Sequence, residues 1–312
     1  MFGVRKLLVG VDLVANPENP DRFELPAPTR EAVEMGLRVG EFSQAGVTFL
    51  SVIEPLPAGA TEDEQAEVTA SAQAALAGLL SEAAERGVQA ETQVASGHGW
   101  MEMISEVLRN GHQMVIVGSR DASTASRLWL GSTAIKLLRL CPCPVWVARS
   151  NDEEKTQTIV VADDLTDVGQ HCLHLGVSAA RLLHARLLAL HAVQYPLERH
   201  LRRIDSSPEE LREYRETTCA EAEKQLNERL AMTDFRTISE GARTEITAGR
   251  PDVVIQDAIE EHEADLLVMG TVARGGIPGM LVGNTAERLL NSLSCSVIAV
   301  KPEGFVCPVQ LD

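Results

Sequence analysis

Apolar residues fall along this chain in short unbroken runs, and between the runs they recur every three or four positions. The first run, Lys6-Leu7-Leu8-Val9-Gly10-Val11, reads as a buried strand. The next stretch carries Ala32, Val33, Met35, Leu37, Val39 and Phe42 at helical spacing. Continued through the first half, the pattern predicts strands over 6–11, 47–53, 88–95, 114–117 and 145–148, and helices over 31–45, 62–86, 100–110 and 132–140. Thr61 and Glu64 are set as a capping box for the long helix. Residues 16–28, rich in proline, read as a loop, and 151–157, polar with no apolar anchor, as a linker. The second half repeats the plan, with strands over 158–162, 186–193, 243–247, 266–269 and 297–300 and helices over 168–183, 209–232, 252–261 and 286–293. Ser207, Pro208 and Glu210 open its long helix as N-cap, N1 and N3. Strands alternating with helices, the strands nearly continuous in apolar residues, predict an α/β fold with a parallel sheet covered on both faces.

A shift of 152 positions lays the chain on itself. Asp12 falls on Asp164, Gly118 on Gly270, Gly131 on Gly283, Thr133 on Thr285, Leu137 on Leu289 and Cys143 on Cys295. The matches cluster at glycines and apolar positions, which is what a shared fold requires. The expected organisation is an internal duplication with domains over 1–150 and 151–312. Length differences between the halves fall in connections, where chains tolerate them.

Composition narrows the function. Lys and Arg number 28 against 45 Asp and Glu, a net charge of −17. That excess excludes nucleic acid and anionic membrane surfaces as natural partners. No apolar run approaches the ~18–20 residues of a membrane span, and Asp12 interrupts the N-terminal apolar stretch, so a cytoplasmic protein is expected. Aromatic residues are only 4%, so the cores must be aliphatic. The six cysteines make no C-x-x-C and no zinc spacing. Cys141-Pro142-Cys143-Pro144 reads as a helix-to-strand turn with small buried thiols.

The stretch most suggestive of a ligand is 266–300. A strand ends at Gly270, a glycine-rich loop follows, and Gly283-Asn284-Thr285 opens a helix. Helix N-termini present unpaired N–H groups and a positive dipole end, a ready anion site. Parallel sheets bind ligands beyond the carboxyl ends of their strands, where the Gly270 loop and Asp164 both fall. No G-x-S-x-G, G-x-x-x-x-G-K-[ST] or H-E-x-x-H is present, so no catalytic residue is assigned. His171 and His174, near Asp163, Asp164 and Asp167, share a helix face, read as packing and surface rather than a metal site. His191 reads as a hydrogen-bonded core residue.

These features resemble the universal stress protein family, closest to its two-domain E-type subgroup. The resemblance rests on Gly270-Thr271-Val272-Ala273-Arg274-Gly275-Gly276-Ile277, on Gly283-Asn284-Thr285-Ala286-Glu287 and on the tail Lys301-Pro302-Glu303-Gly304-Phe305-Val306. It implies two tandem five-stranded parallel doubly wound sheets, adenine-nucleotide α-hydrolase-like, packed about a pseudo-twofold axis with their fifth strands near one another. In the nucleotide-binding branch of the family, ATP sits against G-x2-G-x9-G-[ST], and an aspartate of D-x-S helps hold the nucleoside. Here Asp164-Leu165-Thr166 stands for D-x-S, and Gly270 and Gly283 are the outer glycines. Ala273 replaces the middle glycine and Asn284 the hydroxyl, with Thr285 one residue along and Arg274 placed to neutralise phosphate. The implied nucleotide site is therefore Asp164, Thr166, Gly270, Thr271, Ala273, Arg274, Gly283, Asn284 and Thr285, with magnesium accompanying the nucleotide on Asp164. The first half keeps Asp12, Gly118, Gly131 and Ser132 but has Asp121 at the middle glycine and Val14 in place of the hydroxyl, a degenerate site.

Three functions stay open: a stress-response protein sensing adenine nucleotide through its second half, with at most slow ATP hydrolysis; an adaptor acting through protein contacts or a small apolar ligand; and a hydrolase or transferase whose turnover depends on Asp164. The duplication supplies an internal pseudo-dimer, leaving monomer and homodimer both open.

Overall fold

The computed structural model describes residues 3–15, 23–54, 61–119, 130–149, 155–204, 207–272, 283–290 and 292–311. The first half runs β1 (Lys6–Gly10), β2 (Val14–Ala15), β3 (Phe23–Glu24), α1 (Ala27–Ser43), β4 (Gly46–Ile53), α2 (Glu62–Glu85), β5 (Ala90–Ser96), α3 (Gly99–Asn110), β6 (Met114–Gly118), α4 (Ser132–Leu140) and β7 (Val145–Ala148). The second runs β8 (Thr158–Ala162), α5 (Asp167–Leu183), β9 (Arg186–Val193), α6 (Glu198–Arg203), α7 (Pro208–Ala231), a 3-10 turn (Phe235–Thr237), β10 (Ala242–Ala248), α8 (Pro251–Glu261), β11 (Leu266–Gly270), α9 (Asn284–Leu290) and β12 (Ser296–Val300).

Capping chemistry places both long helices. Thr61 accepts from the Glu64 N–H while Glu64 accepts from the Thr61 N–H, and Ser207 and Glu210 do the same for α7. Three local features depart from the sequence reading. α1 begins at Ala27, inside the stretch read as loop; Pro28 is tolerated there because N–H groups of a first turn have no helical partner to lose. The loop itself carries a small antiparallel hairpin, β2 with β3. A short α6 precedes α7.

Ten strands form one sheet in the order β10-β9-β8-β11-β12-β7-β6-β1-β4-β5. Pairing is parallel within each half, and the halves meet through β7 and β12, which run antiparallel. Trp146 pairs with Ile298, its own counterpart under the 152-residue shift, and Val147 pairs with Val297 while Val145 pairs with Ala299. A residue facing its own equivalent is the signature of a two-fold interface, here within one chain. Reciprocal cations fasten it. The Arg149 guanidinium donates to the Ser294 carbonyl, and its counterpart Lys301 donates to the Leu138 carbonyl at 2.5 Å.

Two apolar cores run the length of this sheet, one on each face. One gathers residues of α1, α2, α5 and α7, the other residues of α3, α4, α8 and α9. Both draw on each half, so the seam is part of the core. Close approach of helix to sheet depends on two related glycines: a Cβ on Gly36 would meet Val9 Cγ2 at 2.5 Å, and one on Gly176 would meet Val161 Cγ2 at 2.3 Å. Gly176→Ala is therefore expected to destabilise by about 1–3 kcal/mol through overpacking, against about 1 kcal/mol that alanine's helix propensity would contribute. Thermal unfolding reads the sign; a stabilised variant would mean that α5 lifts off the sheet freely.

Candidate functional site

Asp163-Asp164-Leu165-Thr166 turns the chain from the end of β8 into α5. Thr166 is the N-cap of that helix and accepts from the Gly169 N–H. Asp164 Oδ1 accepts from the Thr166 N–H at 3.1 Å and hydroxyl at 2.5 Å, and Asp163 Oδ1 accepts from the Leu165 N–H at 2.7 Å. Leu165 has φ 62°, the left-handed region that a branched side chain seldom occupies. Such strain persists where the surroundings over-determine it, and here they do. Arg229 of α7 donates to both Asp163 oxygens, at 2.8 and 3.2 Å, and to the Thr166 carbonyl. The imidazole of His191 on β9 lies 2.7 Å from the Asp163 carbonyl through Nδ1. Gly169 admits the carboxylate: a Cβ there would sit 2.0 Å from Asp163 Oδ1. The Asp163 side chain is fully buried, and Arg229 is partly buried, 17% exposed.

The first half has no such pair among its described residues. Asp163 corresponds to Val11, which is buried, and α2 buries only Ala72, Leu76, Leu79 and Ala83 where α7 supplies Arg229. A position that is apolar and buried in one half holds the carboxylate of an ion pair in the other.

Beyond the carboxyl ends of β8, β9 and β11 lies a cavity of about 1250 Å³. Asp164 and the turn after β8 form one wall, and Gly270-Thr271-Val272 with Gly283-Asn284-Thr285 form another. The ends of the glycine loop are tied together, because the Gly283 N–H donates to the Thr271 carbonyl at 2.8 Å. Tyr195, Glu198, Glu221 and Gln225 close the side toward α6 and α7, and Arg250 is at the rim. Thr271 is fully buried and its hydroxyl accepts from the Lys301 ammonium, which links the cavity wall to the seam.

The structure thus brings Asp164, Gly270, Thr271, Gly283, Asn284 and Thr285 to one cavity. Thr166 is not on its wall; its hydroxyl is engaged by Asp164 and by the helix cap. Ala273 and Arg274 lie outside the described residues, as does Asp121 of the first half. His171 and His174 gather no third ligand among the described residues, and burial, with help from His174, pushes the His171 imidazole down. Sequence reading missed the Asp163–Arg229 clamp and Lys301. The signal for the clamp was present: a charge at 163 where the 152-residue shift puts Val11.

The family model described as the universal stress protein family matches residues 4–149 and 155–301. The chain belongs to this family. It carries two universal stress protein domains in tandem and is of the E type. It is 26% identical over 236 residues to universal stress protein E of Photorhabdus laumondii, covering 72% of this chain and 73% of that relative. With universal stress protein E of Escherichia coli K12 the identity is 29% over 220 residues, 67% of each chain. A solved universal stress protein from Archaeoglobus fulgidus, 17% identical, superposes with a TM-score of 0.66 over 96% of this chain and 99% of that one, a likeness of fold. Among the described residues of this universal stress protein no helix is long and apolar enough to cross a membrane.

Proposed function

We propose that this universal stress protein binds an adenine nucleotide in the cavity of its second half, as a cytoplasmic protein of the stress response. One observation carries the reading: Asp164 and both ends of the glycine loop, far apart in sequence, form facing walls of a single cavity at the strand ends. Asp164 holds the nucleoside, its carboxylate oriented by Thr166. Thr271, Asn284, Thr285 and the backbone at Gly270 and Gly283 meet the phosphates, with Ala273 and Arg274 on the intervening loop. The Asp164, Glu198 and Glu221 carboxylates on the walls favour a nucleotide that arrives with a hard divalent cation such as magnesium, which oxygen ligands suit. Residues 151–312 are the binding domain, and 1–150 its scaffold.

Denaturing the purified protein and analysing the supernatant by mass spectrometry tests for retained nucleotide, and calorimetric titration with ATP tests for binding. Saturable heat is expected with magnesium and a weaker isotherm with EDTA. Asp164→Asn keeps the acceptor for Thr166 but removes the charge, and it should weaken binding about 10–100-fold, the loss of one charged hydrogen bond. No released nucleotide and no heat would replace this reading with the adaptor one. That second reading draws on the same walls: three carboxylates disfavour phosphate, and the volume exceeds the roughly 300–1,000 Å³ of an ordinary small-molecule site.

A further inference from the structure

The C-terminal end of α4 carries chemistry that the nucleotide reading does not use. Cys141 is the C-cap residue of α4, its N–H bonded to the Leu137 carbonyl, and two residues later Cys143 leads into β7. Their sulfurs lie 3.6 Å apart in thiol–thiol contact. Pro142 and Pro144 fix φ on either side of Cys143, so the facing of the two sulfurs is built into the backbone. Cys141 is buried, whereas Cys143 keeps an exposed edge.

The environment separates the two thiols. The hydrogen bond between the two sulfurs, aided by the nearby Lys301 ammonium, pulls the Cys141 thiol below its ordinary range. The same hydrogen bond, with burial, pushes Cys143 well up. A proton-poor sulfur held against a proton-rich one is the arrangement that thiol–disulfide chemistry uses, because the thiolate attacks and the neighbouring thiol resolves. Two of the other thiols are held the opposite way. Cys295 is pushed up to about 12 by burial, and Cys172 is raised well up by burial also.

We propose that Cys141 and Cys143 form an oxidisable dithiol at the seam between the halves, closing to a reversible disulfide when a peroxide reaches it. The thiolate sulfur attacks the O–O bond, keeping one oxygen as a sulfenic acid while the other leaves as hydroxide. The second thiol displaces the sulfenic oxygen, which leaves as water with that thiol's proton, and the proton given up by the first thiol neutralises the hydroxide. In sum two thiols and one hydrogen peroxide give one disulfide and two waters. The site bears on the seam directly, since Cys143 precedes the strand that pairs with β12 and Cys141 follows the helix whose Leu138 carbonyl holds Lys301.

Native full-length protein treated with one equivalent of hydrogen peroxide, alkylated and digested with trypsin tests this. Arg139 and Arg149 bound a peptide, residues 140–149, that holds both cysteines and no other. The expected result is loss of two free thiols and a two-hydrogen mass loss confined to that peptide, restored by dithiothreitol. Cys307→Ser should give the same internal disulfide. The proposal is overturned if peptide 140–149 keeps its mass while Cys219 or Cys307 oxidises, if Cys141 or Cys143 is instead joined to the peptide bearing Cys307, or if Cys307→Ser abolishes the reaction.

Discussion

Arg229→Leu is expected to destabilise the protein by about 3–5 kcal/mol, the usual cost of removing one partner from a buried ion pair. Asp163 would be left charged, fully buried and without the guanidinium that meets both its oxygens. A loss of that size is a large part of the roughly 5–15 kcal/mol that holds a domain folded. Asp163→Val should cost a similar amount by stranding the cation. The double variant Asp163→Val/Arg229→Leu should recover most of the loss, because it leaves apolar side chains in an apolar core, as the first half does with Val11 at the position of Asp163. Replacing a buried pair by well-packed apolar residues is often neutral. Recovery will be incomplete, since Asp163 also accepts from the Leu165 N–H and Arg229 also holds the Thr166 carbonyl. Chemical denaturation of the four proteins completes the cycle, and additive losses in the double variant would defeat this account. The clamp also has a functional reading. If it serves to hold the strained turn that aims Asp164, the double variant will be folded yet will bind ATP less tightly than the native chain.

Why one half carries this clamp and the other a buried valine could not be read from one half alone. Strands 145–148, 158–162 and 186–193 were legible because continuous apolar runs bounded by polar turns leave little choice, and the two capping boxes fixed where the long helices start. The two-fold seam was legible from the repeat and its resemblance, although not its register, which depends on which apolar residues of two similar strands face each other. Local signals failed where residues suit two roles. Pro26 and Pro28 fit a loop and a first helical turn equally well, so the start of α1 was placed four residues late. The two-residue strands of the hairpin are too short for any alternation to register. At the site, Asp164 and the outer glycines could be found because backbone geometry demands them at set spacings. Thr166 could not be assigned between ligand and cap, since a hydroxyl before a helix start serves both. Asp163 and Arg229 are 66 positions apart and belong to no motif, so only comparison between the halves exposes them.

Lys301 should give the seam a pH dependence of the same sense as acid unfolding, but placed in the alkaline range. The residue is 5% exposed, and burial pulls its pKa from 10.5 down to about 8. Below pH 8 both folded and unfolded chains carry this proton, and the folded state bears the full cost of burying the charge. Between about pH 8 and 10.5 the unfolded chain keeps the proton while the folded chain has shed it, so stability climbs with pH across that window. Above 10.5 neither state holds it and the cost is gone. The climb amounts to about 3 kcal/mol. Lys301→Met keeps the length of the side chain and removes the titration. It will also leave the Leu138 carbonyl and the Thr271 hydroxyl short of a donor, which shifts its stability by a constant amount at every pH. Compared in a Cys141→Ser background, because the Lys301 ammonium also acts on that thiol, the difference in unfolding free energy between the chain with Lys301 and Lys301→Met should therefore grow in favour of Lys301 from pH 8 to 10.5. A difference that stays level across that window would mean that the Leu138 and Thr271 oxygens hold the ammonium charged throughout. Lys301 would then be a fixed cationic tie between the cavity wall and the opposite half rather than one that can be released.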